Sequence, residues 1–547
     1  MSDPVAVGLN LGHDGGCAVI RGDAIVAIAE ERLNRKRYSD GWHASLAYCL
    51  DSADLDLADV DIFVFSCVGP RLPAGYTGGL DRYGVKPTRI VSVDHHLSHA
   101  YSAFCLSGFD DALVVIADGS GNDHQTESYF VANSAALTRI GGNRADRPRA
   151  GGIGAVYEAV TNWLGFDGQE SGKTMALASF GDASAIGAPL FAVHGLQVEG
   201  RLTRTHDRGL MDFARASGLD LGDPGDWHGH RARDLAAWVQ HETEEALVEL
   251  VSMLMSTYQQ RRVCFAGGVA MNCVANEAIR QRTGAHLFVP PAASDRGQAL
   301  GNALFGMHQL TGRAPKMPLG GRDSFGRRYT SEEIHLALRR HPRAGRVHRY
   351  PMPGFTYRWE SDPSTVAADM ISEGKIIGWF EGGSELGARA LGSRSILADP
   401  RRADIRDQLN SRIKHREWFR PFAPAVTVAD ADAWFELEGE SPYMLFAPNV
   451  RDSARNQLEA VTHVDGSARV QTVDPDVHPA FHRLISRFGE ITGVPVVLNT
   501  SFNDTEPIVE SPADALATFC HTDLDALVIG NYVVEKIGNY VVEKTGA

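Results

Sequence analysis

The 547-residue sequence predicts an α/β protein built from two domains. Three observations carry this. The order strand, acidic glycine-rich loop, further strand occurs twice in the N-terminal part. A later apolar strand starting at Val263 breaks into the pair Gly267-Gly268 directly ahead of a helix. Around residues 342–356 the chain turns rich in Pro, Gly and Arg, as interdomain linkers do, and the charge pattern changes beyond it.

The elements follow in order. The first strand, Val5–Leu11, ends in Gly12-His13-Asp14-Gly15-Gly16; a second, Cys17–Ile20, turns at Arg21-Gly22-Asp23 into a third, Ala24–Ala29. A helix around Trp42–Ala53 and a strand, Ile62–Ser66, come next. His95 and His99 stand four apart in a helical segment, which projects both imidazoles from one face. The strand Ala112–Ala117 then delivers Asp118, Gly119 and Gly121, and Ser128–Val131 begins another strand. Gly152 and Gly154, in GGIGAVYEAV, suit either a close-approach loop or helix packing. Asp295–Gly301 opens a further helix.

Two imidazoles and a carboxylate can hold a divalent transition metal, and glycines let backbone amides approach an anion. A lone histidine pair at this spacing is more often a surface or core pair; the Asp-Gly loop after it favours a site. Two acidic phosphate loops plus a late Gly-Gly adenosine loop form the signature set of the actin/sugar-kinase/Hsp70 superfold.

Composition bounds the function. With 53 basic and 68 acidic residues the net charge is −15, which argues against generic nucleic-acid binding and a polybasic membrane surface. Seven cysteines without a CxxC pair read as buried reduced thiols. No signal core and no bilayer-length apolar run are present, so a cytoplasmic location is expected. From Lys375 to Arg420 basic residues alternate with apolar ones and glycines, the pattern of a concave pocket for an anion. Arg401, Arg402 and Arg406 read instead as a solvated face. GNYVVEK at 530–536 recurs at 538–544, and no function is drawn from it.

The motifs GLNLGHDGGCAV, VDHHLSHAYSAF, ESGKTMALASFG, FAGGVAMNCVAN, SELGARALGSRSILADPR, REWFRPFAPAV, VDGSARVQTV and LNTSFN resemble O-carbamoyltransferases of the nodulation-protein and cephalosporin-carbamoylation type, the family of tobramycin carbamoyltransferase. The resemblance implies a metal- and nucleotide-binding transfer domain over residues 1–345, a linker at 346–356, and a YrdC-like α/β domain over 357–547. The second domain would make carbamoyl-adenylate from carbamoyl phosphate and ATP, some distance from where the first passes the carbamoyl group to a hydroxyl.

Carried over by motif, the metal ligands are His95, His99, Asp118 and Asp295, with iron(II) as the metal; His96 is excluded because it points about 100° away on the helix. The ligand chemistry alone would accept manganese or zinc as well. Gly12, Gly119 and Gly121 belong to the phosphate loops, and Gly267, Gly268 and Asn272 match the adenosine loop. There a Cβ would clash with the nucleotide. Lys173 reads as a phosphate contact or a surface lysine. His13, beside Asp14, reads as the general base for the acceptor hydroxyl or as a loop cap. Arg389, Lys414, Arg420 and Arg469 match positions that hold carbamoyl phosphate and ATP, and Asn499 can hydrogen-bond the carbamoyl amide. The expected acceptor is a small hydroxylated natural product, as in antibiotic biosynthesis, facing the segment Leu202–His230, with no nucleic-acid or membrane partner and a monomer or homodimer. tRNA threonylcarbamoylation is the alternative, disfavoured by the acidic charge and the motif order. A non-catalytic Hsp70-like module would need a substrate-binding β-domain in place of the basic half.

Overall fold

The computed structural model describes residues 3–145, 151–202, 206–342 and 354–537. Its N-terminal part holds two five-stranded sheets. In the first, β1 (Val5–Asn10), β2 (Gly16–Arg21) and β3 (Ala24–Ala29) form an antiparallel meander. β4 (Ile62–Ser66) and β5 (Ile90–Ser92) then add in parallel beside β1, giving the order β3-β2-β1-β4-β5. In the second, β6 (Asp111–Ala117), β7 (Gln125–Asn133) and β8 (Leu137–Arg144) repeat the meander. A two-stranded ribbon follows, β9 (Phe191–His194) with β10 (Gln197–Gly200). β11 (Arg262–Ala266) and β12 (His286–Phe288) complete the order β12-β11-β6-β7-β8. The two sheets therefore share one topology, the duplication expected of the actin/sugar-kinase superfold. β1, β4 and β6 are buried nearly throughout, which explains why they read as continuous apolar runs rather than alternating ones.

Two helices fill the layer between the sheets, His95–Ser107 and Gln298–Thr311, packed on each other and on the strands either side. Their approach depends on missing side chains. A Cβ on Gly8 of β1 would stand 2.0 Å from the Ala299 carbonyl, and one on Gly301 2.1 Å from that of Ser98. This contact draws Asp295, just ahead of the second helix, onto the histidines of the first.

The C-terminal part is one eight-stranded mixed sheet. Its strands are β13 (Phe355–Trp359), β14 (Ile377–Phe380), β15 (Arg394–Ala398), β16 (Ala423–Thr427), β17 (Gln471–Val473), β18 (Val496–Ser501), β19 (Ala526–Ile529) and β20 (Tyr532–Lys536). They run in the order β13-β20-β19-β14-β15-β18-β16-β17. Successive residues feed opposite faces, as the pleat requires: Leu527 and Ile529 join one core, Ala526 and Val528 the other. The helices Pro363–Ser372 and Pro479–Thr492 cover one face. The helices Ser331–Arg340 and Pro512–His521 cover the other.

Two details differ from the sequence reading. Ile334 and Leu338, expected in the first domain, sit in the C-terminal core, because their apolar stripe has a sheet face to cover there. Most of the expected linker, 346–353, lies outside the described residues, while Phe355 already belongs to β13. The first GNYVVEK copy supplies β20; the second, 538–544, lies outside the described residues. None of the seven cysteines forms a disulfide, and all but Cys67 are buried. Among the described residues no helix is long and apolar enough to cross a membrane.

Gly301→Ala should force the two central helices apart. We expect a loss of about 1–3 kcal/mol, read as a lowered midpoint in thermal unfolding.

Candidate metal and anion sites in one cleft

The helix Gln298–Thr311 brings Asp295 within reach of a histidine 196 positions earlier in the chain. His95 Nε2 lies 3.1 Å from Asp118 Oδ2 and 3.3 Å from Asp295 Oδ1; His99 Nε2 lies 3.3 and 3.2 Å from the same two atoms. All four residues are buried, and one donor atom from each falls within 4.8 Å of the others. Donors about 2.0–2.2 Å from a shared cation stand about 3–3.5 Å apart, so this donor set fits a divalent metal. His96, on the other side of the helix, turns its Nδ1 onto Ser128 Oγ at 2.7 Å. Its exclusion from the quartet follows from that geometry.

The electrostatics point the same way. Burial opposes a proton on His95, yet Asp295 and Asp118 outweigh it and raise the pKa to about 10. Burial likewise opposes charge on Asp118 and Asp295, and the imidazoles hold both well below the usual carboxylate range. Without a cation the two carboxylates thus favour protons on the imidazoles of both histidines. A metal must displace those protons.

Three further side chains hold the quartet in place. Asn10, buried at the end of β1, donates from Nδ2 to the carbonyls of His13, Asp14 and Asp295 at 3.2–3.3 Å. Arg296 reaches Asp14 at 2.9 Å and Glu31 at 3.2 Å, tying the first loop to the turn that carries Asp295. The sequence reading named none of the three, although Asn10 and Arg296 adjoin its motifs. Their role depends on what they bridge, and that is visible only in three dimensions.

His13 stands over this group, 3.4 Å from Asp295 and 3.7 Å from Asp14. Asp14, then Asp295 and Asp118, raise its pKa to about 9 against the effect of burial. A neutral His13 therefore needs positive charge placed among those carboxylates first. Asp14 itself adopts a left-handed φ of 54°, a conformation Asp tolerates better than most residues.

The cleft does not end there. A cavity of about 680 Å³ runs from His13, Asp118 and Asp295 to Arg389, Arg416, Arg420, Arg469 and Asn499. Arg389 and Arg469 make no hydrogen bond or ion pair among the described residues, and the Nε of each is buried without a partner. Burial, then the neighbouring Arg469, brings the Arg389 pKa down to about 9. Burial, then Arg420, lowers Arg416 far from the ordinary arginine range. Glu417 is the nearby carboxylate, 3.6 Å from Arg420, and it is shared with Lys173. Half-buried guanidiniums gathered with so little counter-charge are costly unless an anion completes the site.

The remaining predicted residues separate into two groups. Gly154, Asn272 and Gly268 line the cavity, as does Gly119. The Gly119 and Gly268 amides already donate to Asp118 Oδ1, at 2.9 and 3.0 Å. Asn272 caps its helix and exchanges hydrogen bonds with Gln240. Gly12 borders the first loop but meets no close neighbour. Gly121, Gly152 and Gly267 stand away from the cavity lining and serve packing: a Cβ would strike His96, Thr126 and the Ala117 carbonyl, respectively. For Gly267 the close approach is thus to a neighbouring strand and not to a nucleotide.

Lys173 is held by Glu170 at 2.7 Å and Glu417 at 2.8 Å, an ion-pair bridge between the two parts of the chain. Lys414 is buried away from the main cavity, its Nζ donating to Ser501 and Asn503, so it shapes that turn. Asn499 donates to Ala390 and Gln471 and keeps a buried, unpartnered Oδ1 beside the cavity. Arg406, read as solvated, also lines it. No described residue of Leu202–His230 does; Trp227 packs behind Phe419.

The family model described as Carbamoyltransferase N-terminus matches residues 71–304, and Carbamoyltransferase C-terminus matches 368–536. Nodulation protein NolNO of Sinorhizobium fredii is 36% identical over 558 aligned residues, covering 96% of this chain and 79% of that protein. The chain belongs to the carbamoyltransferase family. The 3'-hydroxymethylcephem-O-carbamoyltransferase of Amycolatopsis lactamdurans is 29% identical, covering 95% of this chain and 97% of that protein. The solved structure of full-length HypF in its phosphate- and nucleotide-bound form covers 57% of each chain at 12% identity and a TM-score of 0.37, a likeness too slight to bear on fold or chemistry.

In this carbamoyltransferase, metal affinity should rise with pH. The carboxylates raise the proton affinity of His95 and His99, so each proton released on metal binding steepens the dependence by up to about tenfold per pH unit. Titrating zinc or manganese at pH 6 and pH 8, with Asp295→Asn as control, checks it. Equal affinity at the two pH values would count against the proton-filled site.

Proposed function

We propose that this carbamoyltransferase activates carbamoyl phosphate with ATP among its cleft arginines and passes the carbamoyl group to a hydroxyl at the histidine–carboxylate end of the same cleft. The observation that carries the reading is the single cavity lined by both groups. The relatives support a hydroxyl acceptor, since one is named a 3'-hydroxymethylcephem-O-carbamoyltransferase along nearly its whole length.

Atom balance shapes the first half. Carbamoyl phosphate must lose orthophosphate to water, leaving a carbamate whose oxygen attacks the α-phosphorus of ATP. Pyrophosphate departs and carbamoyl-adenylate remains. Every reactant in that step is anionic, so mutual repulsion dominates the barrier. Arg389, Arg416, Arg420 and Arg469 offset it with charge that is already positioned and partly withdrawn from water. The free Oδ1 of Asn499 can accept from the carbamoyl amide.

In the second half the acceptor oxygen attacks the carbamoyl carbon and AMP leaves. His95, His99, Asp118 and Asp295 would hold the cation, and iron(II) is the one the family resemblance favours. When bound, it would supply Lewis-acid stabilisation of the negative charge on the leaving phosphate. His13, 41% exposed on its side chain and facing the cleft, would take the hydroxyl proton once the charge around it is balanced. The acceptor class we favour is a small hydroxylated metabolite.

Incubation with ATP and carbamoyl phosphate should release pyrophosphate only when both are present. Adding hydroxylated metabolites should then give one carrying the mass of an added carbamoyl group. Arg469→Ala should slow pyrophosphate release about 100-fold or more, the scale of losing one preorganised charge at a developing anion. Pyrophosphate release that ignores carbamoyl phosphate would sink the reading.

A further inference from the structure

Arg389 reaches the cavity from a loop between β14 and β15 that has little regular structure of its own. One side chain organises it. Glu385 is buried at 1% exposure, and its Oε1 accepts the backbone amides of Leu391 at 2.7 Å, Ser393 at 2.9 Å and Arg394 at 3.2 Å. The carboxylate thus draws the far side of the loop back onto its near side. Residues 386–390 are left to bulge toward the cleft, where Ala388, Arg389 and Ala390 line the cavity.

The bulge is braced from both domains. Arg32, fully buried in the N-terminal part, donates to the Gly387 carbonyl at 2.6 Å. Gln471 donates to the Leu391 carbonyl at 2.7 Å and Asn499 to that of Ala390 at 3.2 Å. A Cβ on Gly387 would strike the Pro291 carbonyl at 2.4 Å, so the loop lies directly on the N-terminal part. Glu385 Oε2 has no hydrogen-bond partner among the described residues. Its charge faces the cations of Arg32 and His478, and the carboxylate of Asp323 opposes it.

We infer that Glu385 is a positioning residue for anion binding: its carboxylate, through three backbone amides, sets where the Arg389 guanidinium stands in the cleft. The inference rests on the reading that the arginine end holds phosphate groups. Without the carboxylate, three buried amides lose their acceptor, and the bulge must rearrange to find others.

Calorimetric titration of pyrophosphate into the whole chain tests it. Glu385→Ala should bind about tenfold more weakly or worse, and Glu385→Gln, which keeps one acceptor oxygen, about two- to fivefold more weakly. In an Arg389→Ala background, Glu385→Ala should add less than about a twofold further loss, because it acts through that guanidinium. Should Glu385→Ala fail to fold, the glutamine variant carries the comparison in both backgrounds. Wild-type affinity in a folded Glu385 variant, or a loss that adds in full to that of Arg389→Ala, would overturn the inference while leaving the proposed function standing. A wild-type chain that neither binds pyrophosphate nor releases it from ATP with carbamoyl phosphate would overturn both.

Discussion

Two carboxylates buried against two imidazoles govern the N-terminal half. Asp118 and Asp295 are buried where they border the cleft, and the imidazoles of His95 and His99 offset the cost of their charge there. Much of the surrounding structure serves that contact. The glycines of β1 and of the helix Gln298–Thr311 allow the close helix packing that delivers Asp295. The amides of Gly119 and Gly268 fix Asp118, and Asn10 and Arg296 fix the loops around it.

At the other end of the cleft the charge balance is reversed. Positive groups gather with few partners, and burial presses the guanidiniums toward neutrality. Such an arrangement stores a demand for anions, whereas the metal-ligand quartet stores a demand for a cation. One cavity joins the two, and under the proposed function a phosphorylated carbamoyl donor would bind at one end and its activated form react at the other. The sequence reading placed these stages some distance apart. The cavity between them is continuous because the C-terminal sheet is applied directly to the N-terminal part, with Leu386, Leu391, Phe419 and Tyr443 entering the same core as β6 and β11.

Several sequence-level readings carried over with their chemistry intact. The strand runs from Val5 to Ser66 and the histidine helix form close to where pattern alone puts them, since each is set by local periodicity and by glycine or Asp at its ends. Glycines were harder to read. A glycine that admits a ligand and one that admits neighbouring protein look alike in sequence. Gly121 and Gly267 read as parts of ligand loops and Gly152 as either a close-approach loop or helix packing, and at all three the space a Cβ would take is filled by protein. Basic residues were ambiguous for a related reason. Lys173 and Lys414 are engaged by protein oxygens, whereas Arg389 and Arg469 are not, and motif position does not separate these cases.

The sequence by itself determined the duplicated strand–loop pattern, the identity and spacing of the histidine pair, and the supply of arginines for an anion. These are short-range properties, written in neighbours three or four residues apart and in the composition of single loops. Asp295 is already expected in the quartet from the family motifs, and packing sets it beside the histidines; only the tertiary structure decided that Glu385 shapes the loop bearing Arg389 and that both charge clusters face one cleft. Each of those depends on which surfaces exclude water from one another. Desolvation is what gives these charges their strength, and the packing of distant segments sets how far it goes.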